Sequence, residues 1–166
     1  MAFEALIRIM AALNDVHLSL LELAELKKAA LIQNDVEALT QIVTKENKWI
    51  KQIGELDAER VEAIGQFMIE KNFKPNKRVT VSDLTKIIFD AEDKKKLIEA
   101  QRQLLNTIRK LREQNQLNQQ LIEHSLAFVN YSLDLIVGPP DDDVLYHRPQ
   151  HQPSGYKRPG LFDTRA

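Results

Sequence analysis

Histidine side chains are the first residues to consider for metal binding or proton transfer in this sequence. His147 and His151 are four residues apart, the spacing at which two ligands would share one face of a helix. Pro149 lies between them, and an interior proline removes a helical hydrogen bond and clashes with the preceding turn. We therefore expect both histidines to be solvated rather than to bind a metal ion.

The other reactive residue types also lack a catalytic arrangement. His17 and His124 are isolated, and the acidic run 141–143 is expected only to keep its segment hydrated. The sequence has no glycine-rich phosphate loop, no G-x-S-x-G and no H-E-x-x-H. It has no cysteine, which excludes disulfides, thiolate zinc sites and cysteine nucleophiles. We predict a protein that is not an enzyme and that has no cofactor and no metal site.

Charge and hydropathy exclude two further classes of partner. The 166 residues carry 23 Lys and Arg against 24 Asp and Glu, a formal net charge of −1. A balance of this kind is not the basic surface that nucleic acids require. No stretch approaches the roughly 20 apolar residues of a membrane span, and the first residues do not resemble a signal peptide. We expect a cytoplasmic protein without nucleic-acid binding or membrane insertion.

The segment before residue 137 contains two apolar stripes where a helix that packs on one neighbour needs one. At 100° per residue, the two stripes are separated by about 120°. The stripes consist of Ile122, Leu126, Val129, Leu133 and Ile136, and of Leu121, Phe128 and Leu135. The additional stripe could pack on another helix of this chain, on a second copy or on a foreign protein.

The positions of proline and glycine predict the elements that carry these stripes. Residues up to Val137 contain one proline and two glycines, whereas the remaining residues are rich in both. Apolar periodicity predicts long helices over 2–32, 36–71 and 92–137 and a short helix over 82–91 that buries Leu84, Ile87, Ile88 and Phe89. Residues 138–140, Gly-Pro-Pro, should end the last helix.

Polar residues predict details of these helices. Asn34 or Asp35 should cap the second helix, with Glu37 completing a capping box from Asn34, and Thr80 with Asp83 should cap the short helix. Asn115 and Asn118 interrupt the seam of the last helix, and they could form a polar layer that sets register or contact a partner. Glu46 lies on an apolar face, where we expect it to meet a polar group.

The predicted fold is therefore all-α: an elongated antiparallel helical bundle or coiled coil of three long helices and one short helix. Elongation follows because the last helix would be about 69 Å long at 1.5 Å per residue, whereas a compact chain of this length has a radius of gyration of about 15 Å. We predict two regions, a helical body over 1–137 and a flexible, non-globular tail over 138–166.

Several segments together resemble the FlgN-type flagellar export chaperones. The opening hairpin contributes residues 23–31 (LAELKKAAL), 35–39 (DVEAL) and Glu46. The last helix contributes residues 115–123 (NQLNQQLIE) and ends in 135–138 (LIVG). The tail adds Tyr146 and the final residues 162–166 (FDTRA). The resemblance depends on the order and spacing of these segments and covers most of the chain.

The resemblance implies a cytosolic chaperone without enzymatic activity. Members bind the hook–filament junction proteins FlgK and FlgL and deliver them to FlhA, a component of the type III export gate. A disordered terminal segment of the client would form an amphipathic helix on the last helix, and premature assembly would be prevented. Client contact is then expected at Leu121, Ile122, Leu126, Phe128, Val129, Leu133, Leu135 and Ile136. Tyr146 resembles the tyrosine that contacts the gate, and Tyr156 is its rival.

Two other interpretations stay open. The same stripes would serve a structural coiled-coil protein that associates with itself, for example as a homodimer. A helical adaptor of another secretion system would differ only in its client.

Overall fold

The computed structural model describes residues 1–138, which form four α-helices. Their bounds are α1 (Ala2–Gln33), α2 (Val36–Glu70), α3 (Val81–Ile87) and α4 (Ala91–Val137). These described residues contain no β-strand, so the predicted all-α class with three long helices and one short helix is confirmed. Across the same range, no helix is long and apolar enough to cross a membrane.

The turn between α1 and α2 differs from the predicted capping box. Asn34 adopts a left-handed conformation with φ 53°, and the Asp35 amide donates to the Ala30 carbonyl at 3.0 Å, which closes the end of α1. The Asp35 carboxylate then accepts the Ala38 amide at 3.0 Å and caps α2. The capping box from Asn34 to Glu37 is therefore wrong, because Asn34 ends the preceding helix.

The short helix α3 begins at Val81, one residue before its predicted start, and ends at Ile87 rather than at residue 91. Thr80 and Asp83 form the reciprocal capping box. Ile88 is already extended, at φ −80° and ψ 120°, and the Asp90 carboxylate accepts the Asp93 amide at 2.9 Å at the start of α4. Leu84 and Ile88 are buried, whereas Phe89 is 99% exposed. Burial of Phe89 was predicted wrongly, because the chain leaves the helix before that residue.

Contacts between helices define their directions in the unit Met1–Leu126. The Ala2 amide, at the start of α1, donates to Glu70, at the end of α2, at a distance of 3.3 Å. These two helices therefore run antiparallel. The Thr107 hydroxyl donates to Asn14 at 2.7 Å, and the Asn118 amide donates to the Ala24 carbonyl at 2.8 Å. Helix α4 therefore runs parallel to α1 in this unit.

The main core lies where the start of α1, the end of α2, α3 and the start of α4 meet. Its most deeply buried side chains are Leu6, Ile64, Leu84 and Leu97. A smaller cluster joins Leu23 and Ala30 of α1 to Ile42 of α2, with Trp49 packed against it. Burial of these apolar side chains supplies the main stabilisation of the helices, because the hydrophobic effect scales with the apolar area removed from water.

The second compact unit begins at Ala127, and the structure describes its residues 127–138. These residues continue α4 to Val137. Gly138 has a φ of +80°, and its amide donates to the Asp134 carbonyl at 2.9 Å. The predicted helix end at this glycine is confirmed. The boundary between body and tail at residues 137 and 138 stays a prediction.

Candidate functional site

The second half of α4 contributes little to the core. Over the whole helix, Ala91–Val137, the buried residues are Leu97, Leu104, Thr107 and Asn118. Apolar burial therefore ends at Leu104, and the last buried residue is polar. No residue of α4 beyond Asn118 is buried, although some are half-buried.

Three predicted client-binding residues belong to the unit Met1–Leu126. Leu121 and Ile122 are half-buried, and Leu126 is exposed. Helix α1 ends at Gln33, and the hydrogen bonds of Asn14 with Thr107 and of Ala24 with Asn118 join residues that are 93 and 94 positions apart. At that offset the pairing of α1 with α4 ends near residue 126, which explains why Leu126 is 60% exposed.

The other five predicted residues belong to the second unit, and all are exposed. Phe128 is 70% exposed and Ile136 is 81% exposed. The remaining three are Val129, Leu133 and Leu135. Burial of one Leu or Phe side chain stabilises a protein by roughly 1.5–3 kcal/mol. The five exposed side chains do not make this contribution to the stability of the fold. Contiguous apolar surface of this kind usually marks an interaction site.

Two exposed residues of the same segment were missed by the sequence reasoning. Tyr131 and Val137 are both 61% exposed. Tyr131 lies three residues after Phe128 and four before Leu135, a spacing that places it beside the second stripe. The helical periodicity would therefore have identified Tyr131, which has the amphipathic aromatic character common at protein interfaces.

A polar layer joins α4 to α1. Asn118 is 3% exposed, and besides its bond to the Ala24 carbonyl it accepts a hydrogen bond from Gln114 at 3.3 Å. Asn115 is exposed. Asn118 is therefore the buried one of the two and is bonded to α1, and the register-setting role of this layer stays a prediction.

An ion pair joins α1 to α2 at the same level. The Lys27 ammonium lies 3.1 and 3.0 Å from the two carboxylate oxygens of Glu46, and the side chains are 20% and 15% exposed. Glu46 therefore meets a polar group, as expected. A pair that is this enclosed positions two helices more than it stabilises them, because desolvation offsets much of the Coulomb attraction.

The described histidines are not arranged for catalysis. The His17 Nδ1 atom lies 2.6 Å from the Leu13 carbonyl of its own helix, and His124 is exposed. Within residues 1–138, no group of three or more His, Cys, Asp or Glu side chains could hold a metal ion. His147, His151, the acidic run 141–143, Tyr146 and Tyr156 lie outside the described residues.

Two exposed carboxylates have pKa values below their ordinary range. Hydrogen bonds from the Thr80 backbone and then its side chain lower the pKa of Asp83. Hydrogen bonds from Arg102 and then Gln103 lower the pKa of Glu99. Both shifts arise from local contacts at a helix start and on a helix surface, so they indicate no proton-transfer site.

Residues 1–154 match the family described as FlgN protein. Over 168 aligned residues, the chain is 27% identical to the uncharacterized protein YvyG of Bacillus subtilis (strain 168), and the alignment covers 100% of both chains. No solved structure matches the chain. Because the family match covers nearly all of its length, the chain belongs to the FlgN family of flagellar export chaperones.

Proposed function

We propose that this protein is a cytosolic chaperone of type III flagellar export whose clients are the hook-associated proteins FlgK and FlgL. The observation that carries the proposal is the row of exposed apolar side chains at the end of α4. A binding surface without reactive groups is what a chaperone needs, because its work is to cover a client segment rather than to change a bond. The helices in this proposal form a bundle in which α2 runs antiparallel to α1 and α4, and α4 provides the binding surface.

The client segment would form an amphipathic helix on α4. Leu121, Ile122, Leu126, Phe128, Val129, Leu133, Leu135 and Ile136 are the proposed contact residues. Each buried Leu or Phe would stabilise the complex by roughly 1.5–3 kcal/mol, from which the cost of ordering the client segment must be subtracted. Covering that segment would prevent premature assembly of the client.

Delivery would use a different part of the chain. We propose that Tyr146, with Tyr156 as the rival, contacts the export gate component FlhA. A contact in the tail separates client binding from gate recognition. The chaperone could then keep its client bound while FlhA recognises the chaperone. The two activities should then be separable by substitution.

The test is a calorimetric titration of the Phe128→Asp variant with purified FlgK. Loss of an aromatic side chain that the complex would bury, together with introduction of a charge, should weaken binding by at least about tenfold. Phe89→Asp is the matched control, because Phe89 is 99% exposed and lies outside the proposed site. Wild-type affinity in Phe128→Asp would show that the site is assigned wrongly.

A self-associating structural protein is the second candidate, since exposed apolar rows also serve dimers. Light scattering of the wild-type chain with and without FlgK separates the two functions. A stable homo-oligomer that does not respond to FlgK would favour the structural role.

A further inference from the structure

A groove of about 400 Å³ lies between α1, α2 and α4 inside the unit Met1–Leu126. Helix α1 contacts both neighbours here, through the Lys27–Glu46 ion pair and the bond from Asn118 to the Ala24 carbonyl. The groove opens between the two neighbours. The side chains that matter for its chemistry are Ile50, Ile53, Leu111, Asn115, Gln119 and Ile122.

The length and the lining of this groove fit one face of a helix. Three helices border it, which leaves open the position that a fourth helix occupies in a four-helix bundle. The α4 border from Leu111 to Ile122 is about 16 Å long at 1.5 Å per residue, which corresponds to about three helical turns. An amphipathic helix in a groove is also a common mode of recognition for a flexible partner segment.

The charges of the groove restrict the occupant. Lys27 and Glu46 neutralise each other at its base, and His17 directs its Nδ1 atom to the Leu13 carbonyl. The other polar groups are the neutral amides of Asn115, Asn118 and Gln119. A charged side chain would lose its hydration here without gaining an opposite charge. The complementary surface is therefore an uncharged helix face that combines aliphatic residues with amide or hydroxyl groups.

The groove is continuous with the proposed client-binding surface, which indicates that its occupant is a helix of the client. Ile122 borders the groove and is also a proposed client contact, and the exposed Leu126 follows one helical turn later. On α2, Ile50 is 57% exposed although it borders the groove, so its apolar surface gains cover only when the groove is filled.

We infer that the groove between α2 and α4 receives about three turns of the client's terminal helix, and that α2 is part of the client-binding site. The client helix would present an uncharged, amphipathic face, with aliphatic residues against Ile50 and Leu111 and amide or hydroxyl groups near Asn115. This inference depends on the proposed function, and it adds α2 to a surface that the sequence placed on α4 alone.

The experiment is a calorimetric titration of the full-length Ile50→Asp variant with purified FlgK and FlgL. Binding of at least one of them should weaken at least about tenfold, because the substitution removes an aliphatic contact that the complex would bury and places a charge in a neutral groove. Ile69→Asp is the control, since Ile69 lies on the same helix, is 52% exposed and does not border the groove. We expect Ile69→Asp to bind within about twofold of the wild-type protein, and circular dichroism should show both variants folded.

The outcomes separate this inference from the proposed function. If Ile50→Asp binds like the wild-type protein while Phe128→Asp is weakened, the groove inference is overturned and the proposed function stands. If neither substitution affects binding, both are overturned. A rise in client affinity in Ile50→Asp would assign the groove to a segment of the chain itself, and dissociation of a wild-type dimer in that variant would assign it to a second copy. Either result would overturn the inference.

Discussion

Asn118 offers a direct test of how α4 is held on α1. Its side chain is 3% exposed, donates to the Ala24 carbonyl at 2.8 Å and accepts from Gln114 at 3.3 Å. It is also the only residue of α4 after Thr107 that is buried. We predict that Asn118→Ala destabilises the protein while leaving its helical content largely intact.

The expected size of this effect follows from the lost contacts. One intramolecular hydrogen bond contributes about 1 kcal/mol on average to the free energy of unfolding, within a range of about 0.5–1.5 kcal/mol. Ala24 lies inside α1, so its carbonyl keeps a helical hydrogen bond and is not left without a donor. Adding the lost packing of a small side chain, we expect the free energy of unfolding to fall by about 1–2 kcal/mol. For a chain of this size that corresponds to a fall in Tm of roughly 2–8 °C.

Urea unfolding followed by circular dichroism at a helical wavelength measures this change. With a slope of about 2 kcal/mol per molar urea, the midpoint should fall by about 0.5–1 M. Asn115→Ala is the control, because Asn115 is exposed on the same helix and should change stability by less than about 0.5 kcal/mol. Equal effects of the two substitutions would refute the view that Asn118 joins α4 to α1.

Two further predictions concern the start of α3 and the tail. Thr80→Ala removes a helix cap and should lower the free energy of unfolding by about 1 kcal/mol, measured by urea unfolding. The lowered pKa of Asp83 stabilises the fold above its ordinary value of 3.8, and this contribution is lost as pH falls through the folded value. An alanine keeps the Thr80 backbone hydrogen bond, the larger cause, and loses only the side-chain one. Thr80→Ala should therefore lose slightly less stability than the wild-type protein on acidification, and a larger loss would contradict this. Tyr146→Ala should keep client affinity within about twofold and weaken FlhA binding at least about tenfold in pull-down assays, with Tyr156→Ala tested in parallel. Weakened client binding by Tyr146→Ala would contradict the separation of the two activities.

The sequence alone determines the helical elements and the type of function. Proline and glycine are scarce up to Val137, so apolar periodicity runs without interruption and predicts the long helices within a few residues of their observed ends. Helical periodicity also predicts the two stripes of α4, because the faces of a regular helix follow from 100° per residue. The resemblance to the FlgN family depends on local segments, and the family match confirms it.

Several features depend on contacts between residues far apart in the chain. Asn115 and Asn118 look equivalent in sequence, and only the offset between α1 and α4 buries one of them. Asn34 and Asp35 are both good caps, and their roles separate because Asn34 ends α1 in a left-handed conformation. Phe89 fits the apolar pattern of α3, yet the early end of that helix leaves it exposed.

The groove is the feature that only the tertiary structure decided. Sequence periodicity assigns faces to single helices, but it does not say how far apart two neighbouring helices lie. Glu46 could be predicted to meet a polar group, whereas its partner Lys27 and the open space beside Ile50 follow from packing α2 and α4 on α1. Apolar periodicity therefore identified apolar surface in excess of the core, and helix packing determined where a groove forms beside it.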